Sequence, residues 1–171
     1  ESVEAMANRT GTPAIAPAGA VVAALRALGA RRVALGTPYV DFVNQREVAF
    51  LKEYGFDVTA MQGLLLGETQ EERRAIGRVP PEAIYRLARA VDRPDADVIF
   101  LSCTNLASLD VIAEIEQELG KPVITSNQAC FWACLRRLGL KMPVSGYGTL
   151  LETCLDPITD ADFVPMAPAR Q

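Results

Sequence analysis

The chain has no histidine among its 171 residues. That removes the imidazole that ordinarily activates a serine or cysteine nucleophile, so Ser-His and Cys-His arrangements are excluded. No apolar run is long enough to span a bilayer. The first residues, ESVEAMANRTG, lack the apolar core of a signal peptide. There is no basic excess either: 17 Lys and Arg stand against 21 Asp and Glu, a net charge of −4. With a pI near 4.9, the chain offers no basic face for nucleic acid. Arg73, Arg74 and Arg78 do cluster, but among Glu68, Glu71 and Glu72 they read as a solvated loop.

Four cysteines, Cys103, Cys130, Cys134 and Cys154, do not make a disulfide framework in a chain of this length. A reducing cytoplasm is the expected compartment. Cys130 and Cys134 lie one helical turn apart, the spacing of a metal pair. With no histidine and no second pair, they read as two buried thiols.

What is present is a globular composition, half apolar and about a fifth charged. The length suits one ordinary domain. Short β-branched runs alternate with longer helical patterns, which predicts an α/β fold with a parallel sheet. Strands are expected at 13–16 (PAIA), 31–35, 56–61, 96–102 and 122–126, with ADVIFLS (96–102) central and buried on both faces. Helices are expected from about Gly19 to Leu28, through VNQREVAFLKEYG to Gly55, after Pro80-Pro81, from Ser108 to Leu119, and through QACFWACLRRLG. Gly63 to Val79 reads as a polar loop with a helical turn at EERRA. From Lys141 onward an irregular tail is expected.

Residues 3–29 align with residues 111–139 as helix, G-x-P, strand, helix, LRxLG, at an offset of 109 or 110 residues. Similar Gly and Pro signals in all such turns explain this, or else a half-unit is duplicated. On the second reading, the counterpart of the Cys103 turn falls before Glu1. The chain is then expected to be an incomplete molecule, self-associating when expressed alone.

In an open parallel sheet, ligands bind at the carboxyl ends of the strands. Those ends carry Pro17-Ala18-Gly19, Gly36-Thr37-Pro38-Tyr39, Cys103-Thr104-Asn105 and Asn127. Such a rim of small residues, hydroxyls, amides and one thiol suits a small oxygen-rich anion. Cys103, one residue past the apolar strand, is either a small core residue or an acid/base that needs no imidazole. Free amides at a helix start lower a thiol pKa; Asp110 works against them, and no Lys or Arg lies between Arg93 and Lys121. Tyr39 reads as a loop aromatic or as a phenol donating to an oxyanion. Asn44 and Asn127 read equally as turn and cap residues.

The runs SCTNLASLDVIAEIEQELGKPVITSNQACFW, TPYVDFVN and GYG (146–148) resemble the aspartate/glutamate racemase superfamily. The resemblance covers nearly all of residues 1–150 and is to the branch of maleate cis-trans isomerases and arylmalonate decarboxylases. It implies a Rossmann-like lobe of a two-lobed, pseudo-two-fold fold, with the site between lobes. On that reading residues 1–30 end the first lobe and hand over, 31–126 form the second α/β lobe, 127–150 a closing helix and GYG loop, and 151–171 the tail.

The resemblance further implies cysteine acid/base chemistry without metal or organic cofactor, on a small carboxylate or dicarboxylate, in a protein with room to be a homo-oligomer. Neither nucleic acid nor membrane is an expected partner. Cys103 corresponds to the second-lobe cysteine and Tyr39 to a carboxylate or oxyanion donor. Thr104, Asn105, Asn44 and Asn127 are the candidate substrate-binding residues. Thr104-Asn105 replaces the Gly-Gly that follows the cysteine in the decarboxylases, which puts a maleate-isomerase-like activity first and decarboxylase or racemase second. A non-catalytic anion-binding lobe is the alternative of another class.

Overall fold

The computed structural model describes residues 3–164. In chain order they form α1 (Val3–Thr10), α2 (Pro17–Ala27), β1 (Arg32–Tyr39), α3 (Asp41–Glu53), β2 (Asp57–Leu66) and α4 (Gln70–Ala75). Then come α5 (Pro81–Val91), β3 (Val98–Leu101), α6 (Ile112–Leu119), β4 (Val123–Thr125), α7 (Ser126–Arg137) and α8 (Thr149–Thr153). Short 3₁₀ turns occupy Ile76–Arg78, Leu109–Val111 and Asp160–Phe163. The four strands form one parallel sheet in the order β2-β1-β3-β4, the expected α/β class. No helix among the described residues is long and apolar enough to cross a membrane.

Alternating residues of the inner strands feed two cores. Val33, Leu35, Val98 and Phe100 pack with Ala20–Leu25 of α2, Leu51 of α3, Trp132 of α7 and Leu150–Leu151 of α8. Ala34, Ile99, Leu101 and Val123 pack on the other face, with Ile84, Leu87, Ala88 and Val91 of α5 and Ile112 and Ile115 of α6. A strand covered on both sides has no reason to alternate with polar residues. Hence VIFL is buried throughout.

Local signals set most boundaries. Pro81 opens α5, where its missing N–H costs nothing. Gly120 ends α6 in the left-handed region. Thr125 and Gln128 cap α7 reciprocally.

The two aligned segments share conformation. Gly11 and Gly120 have φ of 65° and 64°, and Gly29 and Gly139 have φ of 67° and 70°. Their second helices, α2 and α7, pack against each other. One element breaks the parallel, and it corrects the reading of PAIA as a strand. Residues 13–16 join no sheet among the described residues, whereas the corresponding β4 pairs with β3. Extended backbone becomes a strand only with a neighbour to bond to, and β1 and β3 already have neighbours on both sides.

β2 is also longer than expected, running to Leu66. The loop therefore shrinks, and its helical turn is α4, with Thr69 and Glu72 as a capping box. The expectation of an irregular tail is corrected as well. After the GYG loop the chain forms α8, and Trp132 Nε1–H donates to the Cys154 carbonyl at 2.7 Å. Two apolar residues, Leu150 and Leu151, drive this docking by entering the core. The end of the tail, 165–171, lies outside the described residues, as do Glu1 and Ser2.

Leu151→Ala should therefore lose about 2–5 kcal/mol of unfolding free energy, as buried leucines do. The half-exposed Leu140→Ala should change by no more than about 0.5 kcal/mol. Urea titrations of both variants measure the difference.

Candidate active site

β3 ends at Leu101, and the chain then turns sharply. Cys103 takes φ of 113°, a region that residues with a Cβ rarely enter, at a cost of about 1–3 kcal/mol. Hydrogen bonds on every side hold it there. Ser102 N–H donates to the Gly36 carbonyl at 2.9 Å, and Leu106 N–H donates to the Cys103 carbonyl at 3.2 Å. Cys103 N–H donates to Ser126 Oγ at 3.1 Å. Asn105 N–H donates to the Cys103 sulfur at 3.3 Å, so one backbone amide is aimed at the thiol.

Cys103 borders a cavity of about 350 Å³, lined also by Tyr39, Glu47, Ser102, Thr104 and Ser126, with Pro17, Ala18 and Val21 of α2. Phe50 and Phe100 complete its apolar wall. The cavity lies where α2 and α7 begin, so two helix N-termini face it, a setting that favours negative charge. No Lys or Arg lines it. Among the described residues, its donors are neutral.

Tyr39 is aimed by an irregularity. The β1–β2 register slips between Thr37 and Tyr39, and such a slip re-aims a side chain. Burial is the main force raising its phenol pKa. Hydrogen bonding to the Cys103 thiol follows, then the charges of Cys103 and Glu47. The phenol therefore stays protonated and keeps its donor.

Asn44 is fully buried and does not line the cavity. Its Oδ1 accepts from Thr37 Oγ1 at 2.5 Å, and its Nδ2 donates to the Tyr39 carbonyl at 3.1 Å. Thr37 Oγ1 in turn accepts from Tyr39 N–H at 3.0 Å. Asn44 thus holds Tyr39 instead of touching a ligand. Gly63 packs so closely that a Cβ there would run into Tyr39 O and Asn44 Nδ2.

The other candidates divide. Thr104 borders the cavity. Asn105 turns its side chain outward, where Nδ2 donates to the Arg73 carbonyl at 3.0 Å; only its backbone serves the thiol. Asn127 Nδ2 donates to the Thr104 carbonyl at 3.1 Å and braces the turn. Cys130, Cys134 and Cys154 lie away from this cavity and are free. Burial chiefly pushes the Cys130 and Cys154 thiols up.

Sequence reasoning missed Ser126, Ser102 and Glu47. Glu47 lies one helical turn after Asn44 and one before Phe50, so the inward stripe of α3 was its only signal. Ser102 hydrogen-bonds Glu47 Oε1. Burial raises the Glu47 carboxyl above its ordinary pKa, while the Ser102 bond opposes that rise.

With this geometry in place, the comparisons are specific. A family model described as arylmalonate decarboxylase matches residues 1–151. The arylmalonate decarboxylase of Bordetella bronchiseptica is 43% identical over 151 residues, covering 86% of this chain and 61% of that protein. The maleate isomerase of Nocardia farcinica is 36% identical over 136 residues, covering 79% of this chain and 53% of that one. A solved structure of a mutant Nocardia farcinica maleate cis-trans isomerase with a covalently bound succinylcysteine intermediate superposes with a TM-score of 0.79 at 33% identity. That match covers 88% of this chain and 62% of the other. The chain thus spans between about half and three fifths of the length of these relatives.

Asn44→Ala removes both of the hydrogen bonds made by its side chain. It should cost about 1–3 kcal/mol for the polar groups left unpaired. The more exposed Asn127→Ala should cost less than about 0.5–1.5 kcal/mol. Thermal unfolding of the two variants side by side gives the comparison.

Proposed function

The chain belongs to the arylmalonate decarboxylase family, and we propose that its protein is a cofactor-independent cysteine acid/base enzyme acting on a small carboxylate or dicarboxylate. The reaction we assign first is maleate cis-trans isomerisation. One observation carries this reading: a thiol held in a strained turn, facing a protonated phenol, in a cavity whose donors among the described residues are neutral.

The assignment of roles follows from that geometry. A carboxylate enters between the N-termini of α2 and α7, with Tyr39 and Ser126 as donors. A thiolate supplied by the part of the relatives' length that this chain does not span adds to the double bond, forming a C–S bond. Electron density moves onto the carboxylate as an enediolate. Tyr39 hydrogen-bonds that oxyanion, and Cys103 gives its proton to the carbon. Rotation about the new single bond, return of the proton to Cys103 and loss of the C–S bond release the trans isomer. Atoms and electrons balance, with the attacking thiolate and the Cys103 thiol both regenerated.

Decarboxylation is the second reading, favoured by the 43% identity to the Bordetella bronchiseptica enzyme. There carbon dioxide leaves, the remaining acid is left as an enediolate, Cys103 protonates its carbon, and water returns the proton to Cys103. Both readings use Cys103 and Tyr39 alike. In both, the partner is a small carboxylate, with no nucleic acid or membrane, in a reducing cytoplasm. Residues 1–30 are then the hand-over from a first lobe, and 31–126 the body of the second.

Incubation with maleate, followed by proton NMR, should show fumarate; carbon dioxide from an arylmalonate would instead favour the second reading. Neither product would sink both. Cys103→Ser should lower turnover by on the order of 10²–10⁴, while Cys130→Ser, Cys134→Ser and Cys154→Ser should leave it nearly intact.

Tyr39→Phe removes one oxyanion donor and should cost on the order of 10² in kcat. An unchanged rate would return Tyr39 to a packing role.

A further inference from the structure

An anion-binding cavity with a carboxyl group in its wall poses a problem. The Glu47 side chain lines the same space as Cys103 and Tyr39. Its Oε1 is engaged by the Ser102 hydroxyl, whereas Oε2 is buried without a partner. Ionised, it would leave an uncompensated oxygen beside the thiol and repel an incoming carboxylate.

The groups facing it offer no relief. β1 contributes Tyr39 and the turn after β3 contributes Cys103, both of which become negative when they titrate. From α2 come Pro17, Ala18 and Val21, from α7 Ser126, and from α3 itself Phe50, none of which carries charge.

We propose that Glu47 works in this cavity as a neutral carboxylic acid, a positioning residue whose loss of a proton closes the cavity to anionic ligands. This deepens the functional reading above and rests on it for the identity of the anion. Burial favours the neutral acid and the Ser102 hydrogen bond favours the charged one. The sign follows. Below the raised Glu47 pKa the cavity accepts an anion, and as pH climbs through that pKa acceptance falls.

The test needs no turnover, so it stands apart from the assignment of the reaction. Cys103 is alkylated with iodoacetate and, in parallel, with iodoacetamide, from about pH 5 to about pH 8.5, a span covering a raised carboxyl pKa. Adducts at Cys103 are quantified by mass spectrometry. Both reagents react with the thiolate, so ionisation of Cys103 cancels in the ratio of rates. The ratio instead reports negative charge in the cavity.

In the wild-type protein the iodoacetate-to-iodoacetamide ratio should fall about five-fold or more as pH rises, the size of one nearby charge in a partly screened site. Glu47→Gln should flatten the profile. Ser102→Ala removes the bond that favours the charged form and should move the fall to higher pH. A flat wild-type profile, an undiminished fall in Glu47→Gln, or a shift to lower pH in Ser102→Ala would each overturn the proposal.

Discussion

A cysteine forced to φ of 113° one residue beyond a fully buried strand is the constraint on which the site depends. The turn cannot relax without loosening the sheet. Ser102 is bonded to Gly36 of β1, Cys103 to Ser126 at the start of α7, and Leu106 back to Cys103. Strain of about 1–3 kcal/mol persists only where surrounding structure over-determines it, and here two cores clamp the strand that leads into it. The conformation turns Asn105 N–H onto the sulfur. Relaxing the turn would release the thiol from that amide.

The electrostatics of the cavity follow from having neither imidazole nor guanidinium among the described residues that line it. Neutral donors and helix N-termini attract an anion less strongly than a cation does, but they add no titrating base and no competing salt bridge. Tyr39 fits this scheme because burial and the neighbouring thiol keep its proton in place. A fixed, protonated donor is pre-organised for charge that develops during reaction. Asn44 and Gly63 belong to the same device at one remove: the amide holds the Tyr39 carbonyl directly and its N–H through Thr37, and the glycine leaves room for that grip.

Shared architecture among isomerisation and decarboxylation relatives has a simple physical basis. Both reactions pass through electron-rich carboxylate-derived species that need one oxyanion donor and one proton donor. In the roles proposed above, Tyr39 on β1 and Cys103 just after β3 would supply both from one sheet edge. The two aligned segments account for the remaining wall. α2 and α7 pack side by side and point their N-termini toward the same cavity.

Much of this was legible in the residues themselves. Alternation of apolar runs with helical stripes gave the parallel α/β fold, Pro81 and Gly120 marked real helix ends, and Cys103 and Tyr39 stood at strand ends where ligands gather. Such features are local: hydrophobic periodicity, φ preference and a missing N–H act within a few residues. What the sequence could not decide depends on distant partners. PAIA has strand-like residues but no described strand beside it, and Leu151 looks like tail until α8 docks on the core. Asn44 became a brace because its amide reached Thr37 and Tyr39 before it could reach a ligand. Glu47 would read as a solvated helix residue, and only the packing of α3 beside the Cys103 turn placed its carboxyl among buried groups, where the low dielectric changes what a glutamate is.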